Sequence, residues 1–176
     1  MALKEKALKR MAEKLNAAGI HYSLGASWLL CQKGILDVYH DFDVVVPLEE
    51  EEEADRVLRR LGMCSGVEME EGLYRASFHF DGADIDLSAG MCFDCGLRAV
   101  VNEHTAVETV SVLGVPVALG ALEDWLVWYA LYGRMQRAEA IHGYLKAHDP
   151  VRKERFRACV DGPLPEQVEA LIRDLE

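Results

Sequence analysis

Apolar side chains recur at helical spacing near the amino terminus. They occupy positions 3, 7, 8, 11, 15 and 18, with lysines and glutamates between them, which predicts an amphipathic helix from about residue 2 to 18. Gly19 marks the end of this helix. Residues 21–24 then resemble a short strand, and the small residues Gly25, Ala26 and Ser27 let the backbone turn tightly into the apolar stretch that follows. The pattern predicts a strand, a turn and a helix in succession.

A buried strand and a second helix are predicted next along the chain. Residues 41–46 have the length and the β-branched content of a buried strand, which ends at Pro47. The glutamates at positions 49–53 lead into a helix that stops at Gly62. Negative charge is favoured at a helix start, so these glutamates are interpreted as a solvated helix terminus.

Turn residues separate several further strands. Residues 74–80 alternate between apolar and polar side chains, and residues 83–87 form another strand-like run. Asp81-Gly82 between them is a hairpin turn signal, which predicts that the two strands are antiparallel neighbours. Short strands are also predicted at 99–101, 106–113 and 115–118.

The carboxyl-terminal part of the chain has a helical pattern. Helices are predicted at 122–147, 151–160 and 165–175. The change of character predicts an α/β core over residues 1–120 and a helical subdomain over residues 121–176. An aromatic cluster in the first of these helices has the spacing of a core face, with its last member best placed to reach a cleft: Trp125, Trp128, Tyr129 and Tyr132.

Composition and charge narrow the class of protein. The 176 residues, 51% hydrophobic and 28% charged, are typical of a soluble globular domain. A net charge of −11 argues against binding to long nucleic acid, because such proteins place lysine and arginine against phosphates. No run approaches the roughly 20 apolar residues of a membrane span, and the charged amino terminus is unlike a signal peptide. A cytoplasmic protein without a membrane partner is therefore expected, and five cysteines, an odd number without a regular disulfide framework, agree with a reducing compartment.

Two Asp-apolar-Asp pairs are the main candidates for chemistry. Alternate side chains of a strand share a face, so Asp41 and Asp43 project together, as do Asp84 and Asp86. Clustered carboxylates in apolar strands are costly unless a hard cation such as Mg²⁺ compensates their charge. The alternative is that one or both pairs face solvent at a sheet edge, which would be favoured for a single pair. Two pairs on separate strands favour a metal site.

The turn and the carboxylates together resemble a known family. Residues 24–30, a spacer of nine residues and then residues 40–46 are similar to the signature of the nucleotidyltransferase superfamily that includes DNA polymerase beta. That signature is a Gly-Gly or Gly-Ser turn, Asp-apolar-Asp on the next strand and a third carboxylate on a later strand. The segment 83–87 supplies the third position, and residues 122–145 are similar to the helical tail of small bacterial members.

The resemblance implies a fold and a set of site residues. The fold would be α+β, with a mixed central sheet, flanking helices and a carboxyl-terminal helical tail. Mg²⁺ would be held by Asp41, Asp43 and a third aspartate, for which Asp86 is preferred and Asp84 remains open. The phosphates of ATP or another nucleoside triphosphate would meet the turn of Gly25, Ala26 and Ser27, and Arg134 and Arg137 are added as charge-assisted donors. Solvated helix surface is the more ordinary interpretation of those two arginines.

The implied activity is transfer of a nucleoside monophosphate from a nucleoside triphosphate to a hydroxyl of a small molecule or protein. The acidic balance weakly favours a cationic small molecule as acceptor, and a homodimer is left open. One alternative is a catalytically silent relative that binds nucleotides or a protein partner, although clustered carboxylates argue against it. Another is a plain structural domain, in which Asp43→Ala would abolish no binding.

Two other features have ordinary interpretations. Cys92 and Cys95 form a C-x-x-C, but no second pair completes a tetrahedral zinc site, so free thiols are favoured over zinc held with Cys64, His79 or His104. His40 precedes the first carboxylate strand, where it would contact phosphate or sugar or, at least as readily, cap the strand end.

Overall fold

A mixed seven-stranded β-sheet forms the centre of the part of the chain that the structure describes. The structure is a computed structural model and describes residues 2–148 and 150–175. The strand order is β3-β4-β5-β2-β1-β7-β6. The strands are β1 Ser23–Leu24, β2 Phe42–Val46, β3 Met63–Glu70, β4 Leu73–Phe80, β5 Ala83–Ala89, β6 Ala106–Val112 and β7 Val115–Gly120.

Helices precede, interrupt and follow these strands. The order of helices and strands therefore gives an α+β fold with a helical tail, as predicted. The helices are α1 Ala2–Ala18, α2 Ala26–Gln32, α3 Glu51–Arg59, α4 Leu122–Leu131, α5 Met135–Ala147, α6 Arg155–Ala158 and α7 Glu166–Ile172, with a 3₁₀ turn at Leu48–Glu50. No helix in the described ranges is both long and apolar enough to cross a membrane.

The centre of the sheet is built from strands that are distant in sequence. Strand β2 pairs parallel with β5 and antiparallel with β1, and β1 in turn pairs parallel with β7. Strands β4 and β5 form the predicted antiparallel hairpin. Asp81 and Gly82 in its turn have φ of 50° and 75°, as the two central residues of a type I′ turn require.

One face of the sheet packs on the helices α1 and α3. Phe42, Ile85 and Phe78 are cross-strand neighbours on this face and are fully buried or nearly so. The Tyr74 hydroxyl donates a hydrogen bond to Asp55 of α3, which identifies the face that this helix covers. The alternation that buries these residues turns the intervening polar residues of the same strands toward the opposite face.

The helical tail packs on the rest of the chain through α4. This helix is buried nearly all round and contacts α2, α5, α6 and α7. Its first turn carries the buried carboxylates Glu123 and Asp124, which pair with Arg152 and Arg155. A buried carboxylate is tolerated when it is paired and hydrogen-bonded, so these pairs fix the segment that contains α6 to α4. The division of the chain near residue 120 stays a prediction.

The structure corrects several predicted elements. The single helix predicted at 122–147 is wrong, because it breaks after Leu131 and restarts at Met135, with Gly133 at φ 69° between the two helices. The strand predicted at 99–101 is reduced to an isolated bridge between Ala99 and Val160. The helix predicted at 151–160 is limited to Arg155–Ala158. Strand β3 has no counterpart among the predicted strands.

Candidate active site

The small-residue turn is joined directly to the carboxylate strand. The Gly25 amide donates to the Asp43 carbonyl at 3.1 Å, so the end of β1 lies against β2. Ala26 then adopts φ of 45°, a left-handed conformation that costs a residue with a Cβ about 1–2 kcal/mol. The turn is thereby held in a sparsely populated conformation beside Asp43, as happens at functional sites.

Gly25 is required by an aromatic ring that lies against it. A Cβ built on Gly25 would come within 2.0 Å of ring carbons of Trp125. The indole therefore packs on the backbone of the turn, and any larger residue at position 25 would displace it. The Trp125 Nε1 atom is buried and has no hydrogen-bond partner within residues 2–148 and 150–175.

Two aspartates lie side by side in the middle of the sheet. Asp43 of β2 and Asp86 of β5 are paired across adjacent parallel strands, which lie about 4.8 Å apart. The Ser77 hydroxyl of β4 donates to one oxygen of Asp86 at 2.6 Å. The predicted pair of carboxylates is therefore brought together by the β2–β5 register, and Asp86 has a fixed orientation.

The electrostatic environment of Asp43 is unfavourable for a bare carboxylate. Burial, followed by the charges of Asp41 and Asp86, raises the pKa of Asp43 from 3.8 to about 7. The Arg134 guanidinium acts in the opposite direction and lowers this pKa. A cation bound between the carboxylates would remove the repulsion that raises the pKa.

The other two aspartates take different positions. Asp41 is partly buried just before β2, and its charge acts on Asp43. The Asp84 side chain is 69% exposed and lies 2.7 Å from Nδ1 of His79. The structure thus places Asp86, and not Asp84, next to Asp43.

Asp43, Asp86 and Ser77 line a cleft of about 590 Å³, whereas Asp41 and Asp84 are not part of its lining. Its floor is the polar face of the sheet, and its wall is the end of α4 with the residues that follow it. From the floor come Asp43, Val45, Gly66, Val67, Glu68, Arg75, Ala76, Ser77, Asp86, Leu87 and Ser88; Ala26, Met91, Trp125, Tyr129, Tyr132 and Arg134 complete it. The aromatic cluster is therefore divided: Trp128 is fully buried in the core, whereas Trp125, Tyr129 and Tyr132 face the cleft.

Two of the predicted nucleotide-binding residues have buried polar atoms without partners. Ser27 Oγ and Arg137 Nη1 are shielded from solvent and make no hydrogen bond in the described parts of the chain. Leaving such a group unpaired costs about 1–3 kcal/mol. Arg134 lines the cleft, is exposed and acts on Asp43.

Comparisons with known proteins find similarity at the level of structure. No protein-family profile matches the chain, and no curated protein matches it. The solution structure of the antibiotic-resistance factor ANT(2'')-Ia matches with a TM-score of 0.62 and 15% identity, over 97% of this chain and 90% of that chain. A Thermotoga maritima protein assigned as a nucleotidyltransferase matches with a TM-score of 0.59 and 16% identity, over 81% of this chain and 92% of that chain.

A third match is fungal. An antigenic nucleotidyltransferase-like protein from Paracoccidioides brasiliensis has a TM-score of 0.55 and 12% identity, over 97% of this chain and 86% of that chain. The chain has the nucleotidyltransferase fold. The fold predicted from the turn and the Asp-x-Asp strand is therefore confirmed. Identities this low establish the fold alone.

The carboxylates of this nucleotidyltransferase fold suit a hard cation. Mg²⁺ is commonly held by one or two carboxylates together with waters and substrate phosphates, and Asp43 and Asp86 supply two adjacent carboxylates. Among the described residues, no group of three or more His, Cys, Asp or Glu side chains is close enough to hold a metal by itself. Asp41 as a further ligand stays a prediction.

Sequence reasoning missed part of the site. Arg75 and Ser77 of β4 line the cleft of this nucleotidyltransferase fold. Their signal was present, since residues 74–80 alternate and the polar members must share a face. Tyr129 also faces the cleft, although its spacing indicated a core position.

The C-x-x-C lies near the cleft but outside it. All five cysteines are free thiols, and Cys92 and Cys95 are exposed. Phe93 between them packs edge-on against Tyr132, with ring centroids 4.8 Å apart. This loop therefore supports one side of the cleft.

Proposed function

We propose that this chain is a metal-dependent nucleotidyltransferase that moves a nucleoside monophosphate from a nucleoside triphosphate to a hydroxyl of a small-molecule or protein acceptor. The observation that carries the proposal is the adjacency of Asp43 and Asp86 on the floor of a cleft that Ala26 of the small-residue turn also lines. Mg²⁺ is the proposed cofactor, and ATP is the first nucleotide to test.

The triphosphate is proposed to lie at the turn end of the cleft. Among the described residues, Ser27 Oγ and Arg137 Nη1 are buried donors without partners; neither residue lines the cleft, so phosphate oxygens would satisfy them only if these side chains turn toward it. Arg134 adds positive charge to the same region, beside Asp43. In this arrangement the α-phosphate would lie over Asp43 and Asp86.

The reaction needs one bond formed and one bond broken. The acceptor hydroxyl oxygen bonds to the α-phosphorus, the bond from that phosphorus to the β-phosphate oxygen breaks, and pyrophosphate leaves. Asp86 is proposed to take the hydroxyl proton, because Ser77 holds one of its oxygens and leaves the other to face the acceptor. Bound Mg²⁺ would supply stabilisation of phosphate charge and a lower pKa of the hydroxyl.

The acceptor class is proposed from one solved structure. ANT(2'')-Ia was crystallised with adenylyl-2''-tobramycin, an adenylylated small molecule. That structure matches this chain with a TM-score of 0.57 and 13% identity, over 98% of this chain and 96% of that chain. A small hydroxylated molecule is therefore the first acceptor class to test.

The test measures the rate of pyrophosphate release from ATP in the presence of each of a panel of hydroxylated acceptors, once with Mg²⁺ and once with EDTA. Turnover that requires Mg²⁺ and falls about 100-fold or more in Asp86→Asn supports the proposal, a loss typical of removing a general base. Asp84→Asn is the matched control, because Asp84 lies on the same strand but is exposed and outside the cleft lining. Binding of ATP with Mg²⁺ and no turnover with any acceptor would instead favour the catalytically silent alternative.

A further inference from the structure

The end of the cleft opposite the turn carries a fixed cation. Arg75 projects from β4 into the cleft, where its Nη2 donates to the Tyr132 hydroxyl at 2.8 Å. The guanidinium also lies 5.9 Å from the centroid of the Tyr132 ring. Tyr132 is itself held by the edge-on contact with Phe93. The direction of the Arg75 side chain is therefore set by a packed aromatic residue.

The charge of Arg75 is poorly compensated. Among the described residues it pairs with Glu68, whose carboxylate lies 3.8 Å from Arg75 Nη1, and the two side chains are 39% and 58% exposed. Exposed pairs of this kind contribute little and exchange readily with solvent. Burial raises the pKa of Tyr132, so the phenol that holds Arg75 stays neutral and provides no negative charge.

Arg75 lies at a defined place relative to the paired aspartates. Ser77 is the cross-strand neighbour of Asp86, and Arg75 is the neighbour of Ser88 on the same face. Arg75 is thus two residues along the strand and one strand across from Asp86. Strand geometry places the Cα atoms of the two residues about 8 Å apart. A small molecule can span that distance.

The sheet order separates Arg75 from the turn. The turn follows β1 on one side of β2, whereas β4 lies beyond β5 on the other side. Attacking and leaving oxygens are roughly in line in phosphoryl transfer. If the triphosphate occupies the turn end, the acceptor must reach Asp86 from the β4 side.

We infer that the Arg75 end of the cleft binds an anionic group, a phosphate or a carboxylate, of the acceptor whose hydroxyl is nucleotidylated at Asp86. This inference rests on the proposed function. The acceptor is then a small hydroxylated molecule with an anionic group, which extends from Asp86 to Arg75, two residues whose Cα atoms lie about 8 Å apart. Arg75 is a specificity-determining residue, and a guanidinium suits the planar pair of oxygens that both kinds of anion present.

The net charge of −11 does not oppose this inference. Exposed charges more than about 8–10 Å apart are largely screened at physiological salt, so the side chains at the contact decide which ligand binds. The positive charge of Arg75 therefore favours an anionic acceptor, in contrast to the cationic acceptor that the overall composition favours.

The test is calorimetric titration of three sugars into the protein with Mg²⁺ and a non-hydrolysable ATP analogue. Glucose 6-phosphate carries a phosphate, glucuronate carries a carboxylate, and glucose carries neither. The inference predicts that at least one anionic sugar binds more tightly than glucose, and its identity distinguishes phosphate from carboxylate. Arg75→Gln should weaken that binding about 10- to 100-fold, as expected for loss of charge-assisted hydrogen bonds.

Companion variants separate recognition from folding. Glu68→Gln should preserve or strengthen the binding, because it removes the competing carboxylate. Arg59→Gln is the matched control, since Arg59 pairs with Asp55 on the helix-covered side and should leave the binding unchanged. Equal affinity for the three sugars, or no effect of Arg75→Gln, would overturn the inference. Binding of the ATP analogue is measured in the same samples, so its absence would identify failure of the proposed function itself.

Discussion

Replacing Asp43 by asparagine should stabilise the protein when no divalent cation is present. Asp43 is partly buried beside the charges of Asp41 and Asp86, and burial followed by these charges raises its pKa to about 7. Asparagine has nearly the same shape and no charge. The variant therefore removes the cost of ionising this group inside the cleft.

The size of the effect follows from the pKa of Asp43. A pKa of about 7 in the folded chain, against 3.8 ordinarily, corresponds to a ceiling of about 4 kcal/mol at about 1.4 kcal/mol per pH unit. The cleft is open to water and ions, which screen the repulsion. We expect Asp43→Asn to raise the free energy of unfolding by about 1–2 kcal/mol at pH 8.

The sign of the pH dependence follows from proton binding. Between pH 3.8 and about 7 the folded protein holds a proton on Asp43 that the unfolded chain releases. The wild-type protein should therefore lose stability relative to the variant as pH rises through this window, with the full difference above it. Below the window both residues are neutral, and the difference should vanish.

Urea unfolding in EDTA at several pH values measures the difference, with Asp84→Asn as the matched control. Asp84 is exposed, so that variant should lie within about 0.5 kcal/mol of wild type. Added Mg²⁺ should stabilise the wild type and narrow its gap to Asp43→Asn, because a ligand of the folded state adds stability by mass action. Equal stability of Asp43→Asn and wild type at pH 8 in EDTA would refute the reasoning.

Three further variants test the local packing. Gly25→Ala should lower the free energy of unfolding, measured in urea, by about 1–3 kcal/mol, because its Cβ would meet the Trp125 ring at 2.0 Å. Gly143→Ala is the control and should not destabilise α5, because no atom lies within 4 Å of the added Cβ. Ala26→Gly should raise the free energy of unfolding by about 0.5 kcal/mol in the same assay, because the strain relieved at φ 45° exceeds the cost of the added entropy of the unfolded chain. A lower free energy of unfolding would show that the turn is unstrained. Arg155→Ala should cost about 3–5 kcal/mol by thermal unfolding, because Asp124 stays buried without its partner, and a cost below about 1 kcal/mol would contradict this account of the tail.

The paired aspartates show what the sequence can predict about the site. The strand period of two places Asp41 with Asp43 and Asp84 with Asp86, whatever the tertiary structure. The choice between Asp84 and Asp86 depends on the register of β2 against β5, which are far apart in the chain. Packing of the buried faces sets that register, so no local pattern resolves it.

Strand β3 is not predicted from the sequence because it lies at the edge of the sheet, where its side chains are largely exposed and need not follow a hydrophobic pattern. Met63, Val67 and Met69 are exposed apolar residues, and the strand also contains Gly66. Its sequence alternates only over residues 67–70, and since none of its side chains is fully buried, packing imposes no longer pattern. Its pairing with β4 alone defines it.

Gly133 marks the break after α4 in the sequence, but the helical spacing of apolar residues on both sides of it predicts a single helix. Apolar residues continue through Leu131 and Tyr132, and the helical spacing resumes beyond Arg134, so the pattern reads as one helix. Gly133, with φ of 69°, ends the first helix. This break brings Tyr132 and Arg134 into the lining of the cleft.

The most direct test of a metal and nucleotide site is calorimetric titration of ATP, with and without Mg²⁺, into the wild type and into the double variant Asp41→Asn/Asp43→Asn. The account predicts binding to the wild type that requires Mg²⁺ and is lost in a double variant that remains folded. Absence of binding to the wild type in the presence of Mg²⁺, or equal binding to both proteins, would contradict the account.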